Sequence, residues 1–491
     1  MFYPDKETFL KLCKQGNVVP VYAETLADFD TPLSCFLKTK EGAFSFLLES
    51  VEGGEHLARY SFIGHDPLLV VASKGKEVTL LENNSKRTFM CHKDPVAELK
   101  TIMDKFKFVQ LEGLPRFCGG LVGYIGYDIV RFFEDIPDKN QSGVNIPDMQ
   151  FVLSDTMIVF DHVDHKIKII SNCVVGDDPR NNYEKACEKI KKVMAKLGKP
   201  LEYPELVSSV NAGTKAVSNF SKEEFCDLVE KAKEHIRAGD IIQMVPSQRL
   251  MRKTSADAFT IYRALRSVNP SPYMFYLDFD DKQIIGSSPE ILVRCEDRQV
   301  ELRPIAGTRR RGKNIEEDVH LEMELLADPK ECAEHIMLVD LGRNDIGRVC
   351  KFATVKTEDV MHIERYSHVM HIVSNVVGEL EDDKDIYDLI RATFPAGTVT
   401  GAPKVKAMEL IDKFENTRRG LYAGSVGYIS FSGNTDLCIA IRTILMITDT
   451  AYVQVGAGIV LDSDPVKEYE ETLNKAQGMM KAIDFAERGL K

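Results

Sequence analysis

Tryptophan is absent from the 491 residues, although 16 Tyr and 25 Phe are present and a chain this long would ordinarily hold several. Cysteine is plentiful but unorganised: the 11 cysteines are scattered, odd in number and never spaced CxxC. That argues against a zinc site and a disulfide framework, and fits a reducing compartment. No apolar run reaches the roughly 18 residues needed to cross a membrane. The opening MFYPDKETFLKLCK lacks an apolar core of signal-peptide length, so the expected location is cytoplasmic. Positive charge is in deficit, 63 Lys+Arg against 75 Asp+Glu, for a formal net charge of −12. Such a balance gives no basic field for nucleic acid or anionic lipid. No GxGxxG or GxxxxGK[ST] phosphate loop occurs. What is present is a globular composition, 44% hydrophobic and 28% charged. It rules out wholesale disorder and leaves small molecules or another protein as partners.

The first 175 residues alternate short apolar runs with turn residues. Gly42–Ser50, Pro67–Ala72 and Val78–Leu81 read as strands, and Met149–Val175 as a hairpin or strand pair around Asp161–His165. Gly119, Gly120, Gly123 and Gly126 punctuate another apolar run, as bulges or close backbone packing would require. From Tyr183 the period changes to helical, and Gly198 and Pro200 stop that helix. A mixed Pro, Ser, Asn and Gly stretch over 199–219 reads as a linker. The expected organisation is therefore 1–175, a helix and linker over 176–219, and a third region over 220–491. Ser221 with Glu224 forms a capping box for a helix ending at Gly239. Beyond it, strand-like runs (Ile241–Val245, Tyr273–Leu277, Tyr452–Leu461) alternate with helical ones (255–267, 316–338, 404–414, 465–487). The pattern predicts an α+β fold with large mixed sheets against helices.

Two helical segments each carry glutamates three apart, Glu331 with Glu334 and Glu468 with Glu471, so each pair shares a helix face. Asp464 and Pro465 form a plausible start for the second helix. Four converging carboxylates call for a hard cation such as Mg²⁺, although glutamate pairs on helices are more often solvated surface. Gly456, Ala457 and Gly458 interrupt a strand-like run just before that helix, where exposed amides could meet a carboxylate or a simple bulge could form. His371, in an apolar-flanked run, could act near neutral pH or be a satisfied core histidine. Glu290, on a turn after an apolar strand, could serve as a general acid if burial raised its pKa. The basic cluster Arg309–Lys313 reads as a solvated loop.

Taken together, PIAGTRRRG (304–312), ECAEHIMLVDLGRND (331–345), RYSHVMH (365–371), GTVTGAPK (397–404) and QVGAGIVLDSDPVKEYEET (454–472) resemble the chorismate-utilising enzymes of the anthranilate synthase large-subunit type. The match is strong over about 220–480 and looser before it, with LLES at 47–50 as the best anchor. The resemblance implies a Mg²⁺-dependent lyase converting chorismate and ammonia to anthranilate and pyruvate, the first step of tryptophan biosynthesis. By motif, Glu334 and Glu471 would be metal ligands, supported by Glu331 and Glu468. Gly307, Thr308, Tyr422, Arg442 and the Gly456, Ala457 and Gly458 amides would hold chorismate. Its two carboxylates suit a metal on one side and an arginine with backbone donors on the other. Glu290 would protonate the departing C4 hydroxyl, and His371 would assist the later loss of pyruvate.

Two positions separate sister activities. Aminodeoxychorismate synthases commonly carry a lysine where this chain has Ala306, which cannot act as a nucleophile. Isochorismate and salicylate synthases carry a water-activating lysine where this chain has Gln243. Both differences favour an ammonia nucleophile. Glu49, Ser50, Pro272, Tyr273 and Met274 match the family's tryptophan feedback site, which makes 1–175 the regulatory region and 220–491 the catalytic one. A maker of tryptophan precursor would gain from needing no tryptophan for its own translation. No G-x-C-x-G nucleophile motif is present, so the resemblance implies a separate glutamine amidotransferase small subunit, in some members within a heterotetramer. The alternatives are an aminodeoxychorismate synthase large subunit and a non-catalytic tryptophan-sensing protein.

Overall fold

The computed structural model describes residues 1–51, 59–83, 85–140, 143–202, 214–366 and 369–491. The middle of the expected linker, 203–213, and two residues of the RYSHVMH run lie outside them. Among the described residues two large sheets dominate, one of 11 strands and one of 12, with a small two-stranded sheet beside them. Their long ladders are antiparallel throughout, in keeping with the α+β expectation.

The apolar side chains show how the sheets stack. Along Phe44–Glu49, Phe46 belongs to one buried cluster and Leu47 to another. Along Gly120–Ile125, Val122 and Tyr124 share the cluster of Phe46, whereas Leu121 and Ile125 face a third. A central core is thus shared by the two sheets, and each outer face is covered by helices, giving four layers. Strands buried on both faces read as continuous apolar runs rather than alternating ones. Among the described residues no helix is long and apolar enough to cross a membrane, and all 11 cysteines are free.

Both sheets draw strands from both ends of the chain. In the first, Phe44–Glu49 pairs with Tyr273–Phe279, placing Leu48 opposite Phe275 and Glu49 opposite Met274. In the second, Gly120–Ile125 pairs with Ser425–Ser430. The segments before and after 219 therefore share two sheets and do not form separate cores. Close approach of these strands explains the glycine run: a Cβ on Gly123 would lie 2.0 Å from the Gln150 carbonyl oxygen.

Several local expectations are corrected. The stretch 316–338 is two helices, Ile315–Ala327 and Pro329–Gly347, because Pro329 disfavours helical backbone at Asp328. Asp328 instead caps the second helix, accepting from the Lys330 and Glu331 amides. The strand expected over Tyr452–Leu461 ends at Gly456, and Ile241–Val245 supplies only the short strand Gln243–Met244. Met149–Val175 holds three strands, the first of which joins the other sheet. Arg309 and Arg310 close the strand Ile305–Arg310 rather than forming a loop.

One buried ion pair ties the layers together near the chain's catalytic motifs. Arg419 and Glu415 are both about 5% exposed or less. Arg419 donates to Glu415 at 2.6 Å, and to the carbonyls of Val245 and Val399, both at 2.7 Å. Glu415 also accepts from the Ser247 amide and hydroxyl, both at 2.8 Å. Removing one member of such a pair leaves the other charge buried, at a cost of about 3–5 kcal/mol. Glu415→Ala should lower the unfolding free energy by that order in denaturant titration, whereas a loss below about 1 kcal/mol would show the pair to be dispensable.

Candidate active site

Two of the short crossovers that carry the chain from one sheet to the other lie side by side. One runs from Ser288 to Ile291, the other from Ile439 to Thr443. The Ile439 amide donates to the Glu290 carbonyl at 2.9 Å, and the Ser287 amide donates to the Arg442 carbonyl at 3.1 Å. The Ser288 hydroxyl donates to the Ile439 carbonyl at 2.7 Å. These bonds hold Glu290 and Arg442 on adjoining turns. Arg442 has a left-handed backbone, φ 50°, unusual for a residue with a side chain.

Glu290 is buried. Burial pushes its carboxyl up to about 8, against the opposing pull of Thr398 and the Lys475 ammonium. It therefore holds a proton at neutral pH, as a general acid must. Burial lowers the Arg442 pKa, opposed by the Glu471 carboxylate and Tyr422. Among the described residues no side chain pairs with its guanidinium, which leaves its donors for an anionic ligand. Tyr422 stands beside it, with its hydroxyl 2.6 Å from where a Cβ on Gly456 would sit. That crowding, with the Pro246 carbonyl at 2.7 Å, is why glycine is needed there. Of the three amides in Gly456–Gly458, that of Ala457 donates to the Pro246 carbonyl at 3.2 Å and is already engaged.

Gly307 makes a bulge between Ala306 and Thr308 with φ 65°. Its carbonyl accepts a hydrogen bond from His371 Nδ1 at 2.9 Å, and the Thr308 hydroxyl lies 3.1 Å from the same nitrogen. This fixes the tautomer with the proton on Nδ1 and leaves Nε2 as an acceptor. Burial lowers the His371 pKa, the bond to Gly307 opposes that, and Arg442 adds to it, so the ring is neutral at pH 7.

The glutamate pairs sit on Pro329–Gly347 and on Pro465–Glu487. Burial raises the Glu334 carboxyl; the Gln243 hydrogen bond opposes this, Glu331 reinforces it, and Lys330 and Lys475 offset it. Glu468 is raised by burial and by Glu471, against Ser463 and the same two lysines. One glutamate of each pair thus feels the same two cations. Among the described residues they do not close into a cluster of three or more ligating groups. Glu331 is held by Arg309 at 3.1 Å and Glu471 by Lys475 at 2.7 Å. Glu334 and Glu468 are partly buried with raised pKa values, and all four carboxylates offer oxygen, which fits a hard divalent cation better than a soft one.

Four residues of this site escaped the sequence reading. Lys475 donates to the Gly456 carbonyl at 3.1 Å, and its spacing of four from Glu471 was a readable signal. Thr398 beside Glu290 carried no such signal. Arg309, expected in a solvated loop, binds Glu324, Asp328 and Glu331 at 3.0, 3.0 and 3.1 Å. Gln243, noted only for the lysine it replaces, donates from Nε2 to Glu334 at 2.8 Å, while its Oε1 is buried with no partner.

The five residues expected to bind tryptophan, Glu49, Ser50, Pro272, Tyr273 and Met274, line one cavity of about 520 Å³ where N- and C-terminal strands meet. The Ser50 hydroxyl is buried without a partner. Glu49 is engaged by the Tyr262 hydroxyl at 2.5 Å and by Arg266 at 3.1 Å. Tyr273 donates to Asp436 at 2.9 Å, and Arg294 bridges the two.

Residues 45–481 match the profile of the family described as chorismate binding enzyme, and the chain belongs to that family. Among individual relatives, anthranilate synthase component 1 of Acetivibrio thermocellus is 51% identical over 492 residues, covering 99% of each chain. Its counterpart in Aquifex aeolicus is 51% identical over 483 residues, covering 98% of each. The crystal structure of anthranilate synthase component I from Streptococcus pneumoniae TIGR4 superposes with a TM-score of 0.76 at 38% identity, over 86% of this chain and 92% of that one. The menaquinone-specific isochorismate synthase of Escherichia coli, at 19% identity and a TM-score of 0.71, shares the fold over 97% of this chain and 98% of its own.

The Glu290 proton has a consequence for stability. The native chain keeps it up to about 8, whereas an unfolded glutamate releases it near about 4.3. Between those values the native state binds more protons, so this contribution is complete at low pH and is lost as pH rises through about 8. Thermal unfolding of Glu290→Gln should therefore decline less between about pH 5 and about pH 9 than that of the parent chain. Equal declines would mean that Glu290 ionises normally. Separately, Gly456→Ala should weaken substrate binding and also destabilise the chain, since its Cβ meets the Pro246 carbonyl, read as a raised KM together with a lowered Tm; an unchanged KM and Tm would show that the crowding is relieved at no cost.

Proposed function

We propose that the chain is the chorismate-converting component of an anthranilate synthase, turning chorismate and ammonia into anthranilate and pyruvate. The observation that carries this is the Arg442 guanidinium, partly buried and without a protein anion, on the turn adjoining a protonated Glu290. A cation without a counter-ion in such a place suits a substrate carboxylate. Tyr422 and Gly456 complete that side of the pocket, while Gly458 lies against Gln243 and Glu334.

In the first step ammonia forms a bond to C2 of the ring, the double bonds shift, and the C4–O bond breaks. Glu290 gives its proton to the leaving hydroxyl, which departs as water. In the second step the proton at C2 is removed and the C3–O bond breaks, releasing enolpyruvate, which becomes pyruvate, and an aromatic ring. His371 Nε2 is the acceptor suited to that proton, since Nδ1 is held by Gly307. A Mg²⁺ ion held by Glu334 and Glu471, with Glu331 and Glu468 in support, would neutralise the second carboxylate of chorismate. Gln243 then fixes Glu334, and Lys475 supplies positive charge beside Glu471.

Ala306 offers no nucleophile, which sets this reading apart from an aminodeoxychorismate synthase. Ammonia would come from a glutamine amidotransferase subunit, since the chain has no motif of that kind and its relatives are named as one component. Tryptophan would inhibit from the cavity between the sheets, where Ser50 has an unpaired hydroxyl. The reduced cysteines fit a cytoplasmic enzyme.

With chorismate, Mg²⁺ and ammonium, anthranilate fluorescence should rise, should need the metal, and should fall when L-tryptophan is added. Glu290→Gln should lower kcat by about 10²–10⁴-fold, and Arg442→Gln should raise the KM for chorismate by about 10–100-fold. Chorismate consumed without anthranilate would replace this reading with a sister synthase. Ser50→Leu should relieve tryptophan inhibition with kcat unchanged; inhibition as strong as in the parent would remove the cavity from the feedback account.

A further inference from the structure

A second cavity, of about 390 Å³, lies between the sheets and shares Tyr422 with the candidate substrate site. Arg249 and Gln454 both line it. They are directly opposed on the neighbouring strands Ser247–Lys253 and Thr450–Gly456, so their side chains leave the sheet on one face, their backbones about 5 Å apart. The guanidinium of Arg249 makes one long contact, 3.4 Å to the Arg418 carbonyl, and no ion pair among the described residues. Gln454 donates from Nε2 to the Ser247 hydroxyl at 2.8 Å, but its Oε1 is buried with no partner. A cation lacking an anion thus stands beside an acceptor lacking a donor, although neither satisfies the other. Burial pulls the Arg249 pKa down, against the opposing pull of Tyr452 and of the Glu415 carboxylate, which is itself paired with Arg419. The other cation of the cavity, Arg419, is neutralised by Glu415 at 2.6 Å. Ile146, Leu421 and Leu445, with the Tyr422 ring, give it apolar walls.

We propose that this cavity binds an aromatic monocarboxylate bearing an N–H or O–H donor next to the carboxylate. The carboxylate meets Arg249, the donor meets Gln454 Oε1, and the ring lies against the aliphatic walls. A dicarboxylate such as chorismate finds no second uncompensated cation there. If the function proposed above holds, and this identification of the ligand rests on it, the reaction's own product has the required chemistry. Anthranilate carries an amino group ortho to its carboxylate, and a site behind Tyr422 would retain or release it apart from the incoming substrate.

Binding can be tested without turnover, using the full chain with neither Mg²⁺ nor chorismate. Anthranilate fluorescence anisotropy should show saturable binding at millimolar concentration or below. Arg249→Gln should weaken it at least tenfold, and Arg442→Gln should leave it unchanged. Gln454→Leu should weaken anthranilate severalfold but leave benzoate, which lacks the donor, unaffected; this variant also stands if Arg249→Gln fails to fold. Absence of saturable binding would overturn the proposal. So would binding lost in Arg442→Gln and kept in Arg249→Gln, which would place anthranilate in the substrate site. A chain that binds as described but forms no anthranilate from chorismate would sink the proposed function and leave the cavity assignment standing.

Discussion

The buried pair of Glu415 and Arg419 is the constraint on which the catalytic end of the molecule depends. Two charges taken out of water are costly unless every donor and acceptor is matched. Here the matching groups come from separate stretches of chain: the carbonyls of Val245 and Val399 and the amide and hydroxyl of Ser247. The guanidinium also lies over the rings of Tyr127 and Tyr422, 4.9 and 5.4 Å from their centroids. Val245 follows Gln243, which holds Glu334, and Val399 follows Thr398, which faces Glu290. Tyr422 stands over Gly456. One ion pair therefore sets the relative positions of the metal-ligand candidates, the acid and the carboxylate site, at the price of a desolvated charge that an apolar core would avoid.

A second constraint acts through the sheet crossovers. A strand that leaves one sheet for the other must turn where two layers part, and its turning residues lose their ladder partners. Both crossovers satisfy those groups mutually, through Ile439 with Glu290 and Ser287 with Arg442. Side chains at such turns point into the gap between layers, out of water but unpaired. That is the environment that raises a carboxyl pKa and leaves a guanidinium without a counter-ion. The same geometry thus accounts for both perturbed groups.

The local grammar was legible. The Ser221–Glu224 capping box is present, with both reciprocal hydrogen bonds, and Asp464 with Pro465 opens the long final helix. The pairing of glutamates on helix faces follows from spacing alone. The break at Asp328–Pro329 was also legible from the proline, but the apolar period runs through it and outweighed it. What could not be read was non-local. No pattern in Phe44–Glu49 says that it pairs with a strand more than 200 residues away, as the Glu49–Met274 register shows. Nor does spacing say that Arg442 lacks a partner, that Glu415 meets Ser247, or that Arg309 folds back onto Glu331. Family motifs marked several of these positions without giving a physical reason for them.

The shared sheets also bear on how a ligand in the 520 Å³ cavity could reach the reacting groups. Tyr273 lines that cavity and pairs across the ladder with Ser288, whose hydroxyl donates to the Ile439 carbonyl. Asp436 and Cys438 line it too, on the strand Thr435–Ile439 that leads into the Arg442 crossover. Arg294 lines it on the strand Ile291–Glu296, which begins at the Glu290 turn, so two strands run from the cavity wall to the two turns carrying Glu290 and Arg442. Packed sheets yield as units rather than residue by residue. A ligand that parts Tyr273 from Asp436, or displaces the Arg294 that bridges them, acts on both crossovers at once. The proposed feedback then needs no separate relay: the site and the cavity are two ends of the same pair of strands, and a ligand at one end changes the free energy of the other only by favouring a different spacing of the sheets.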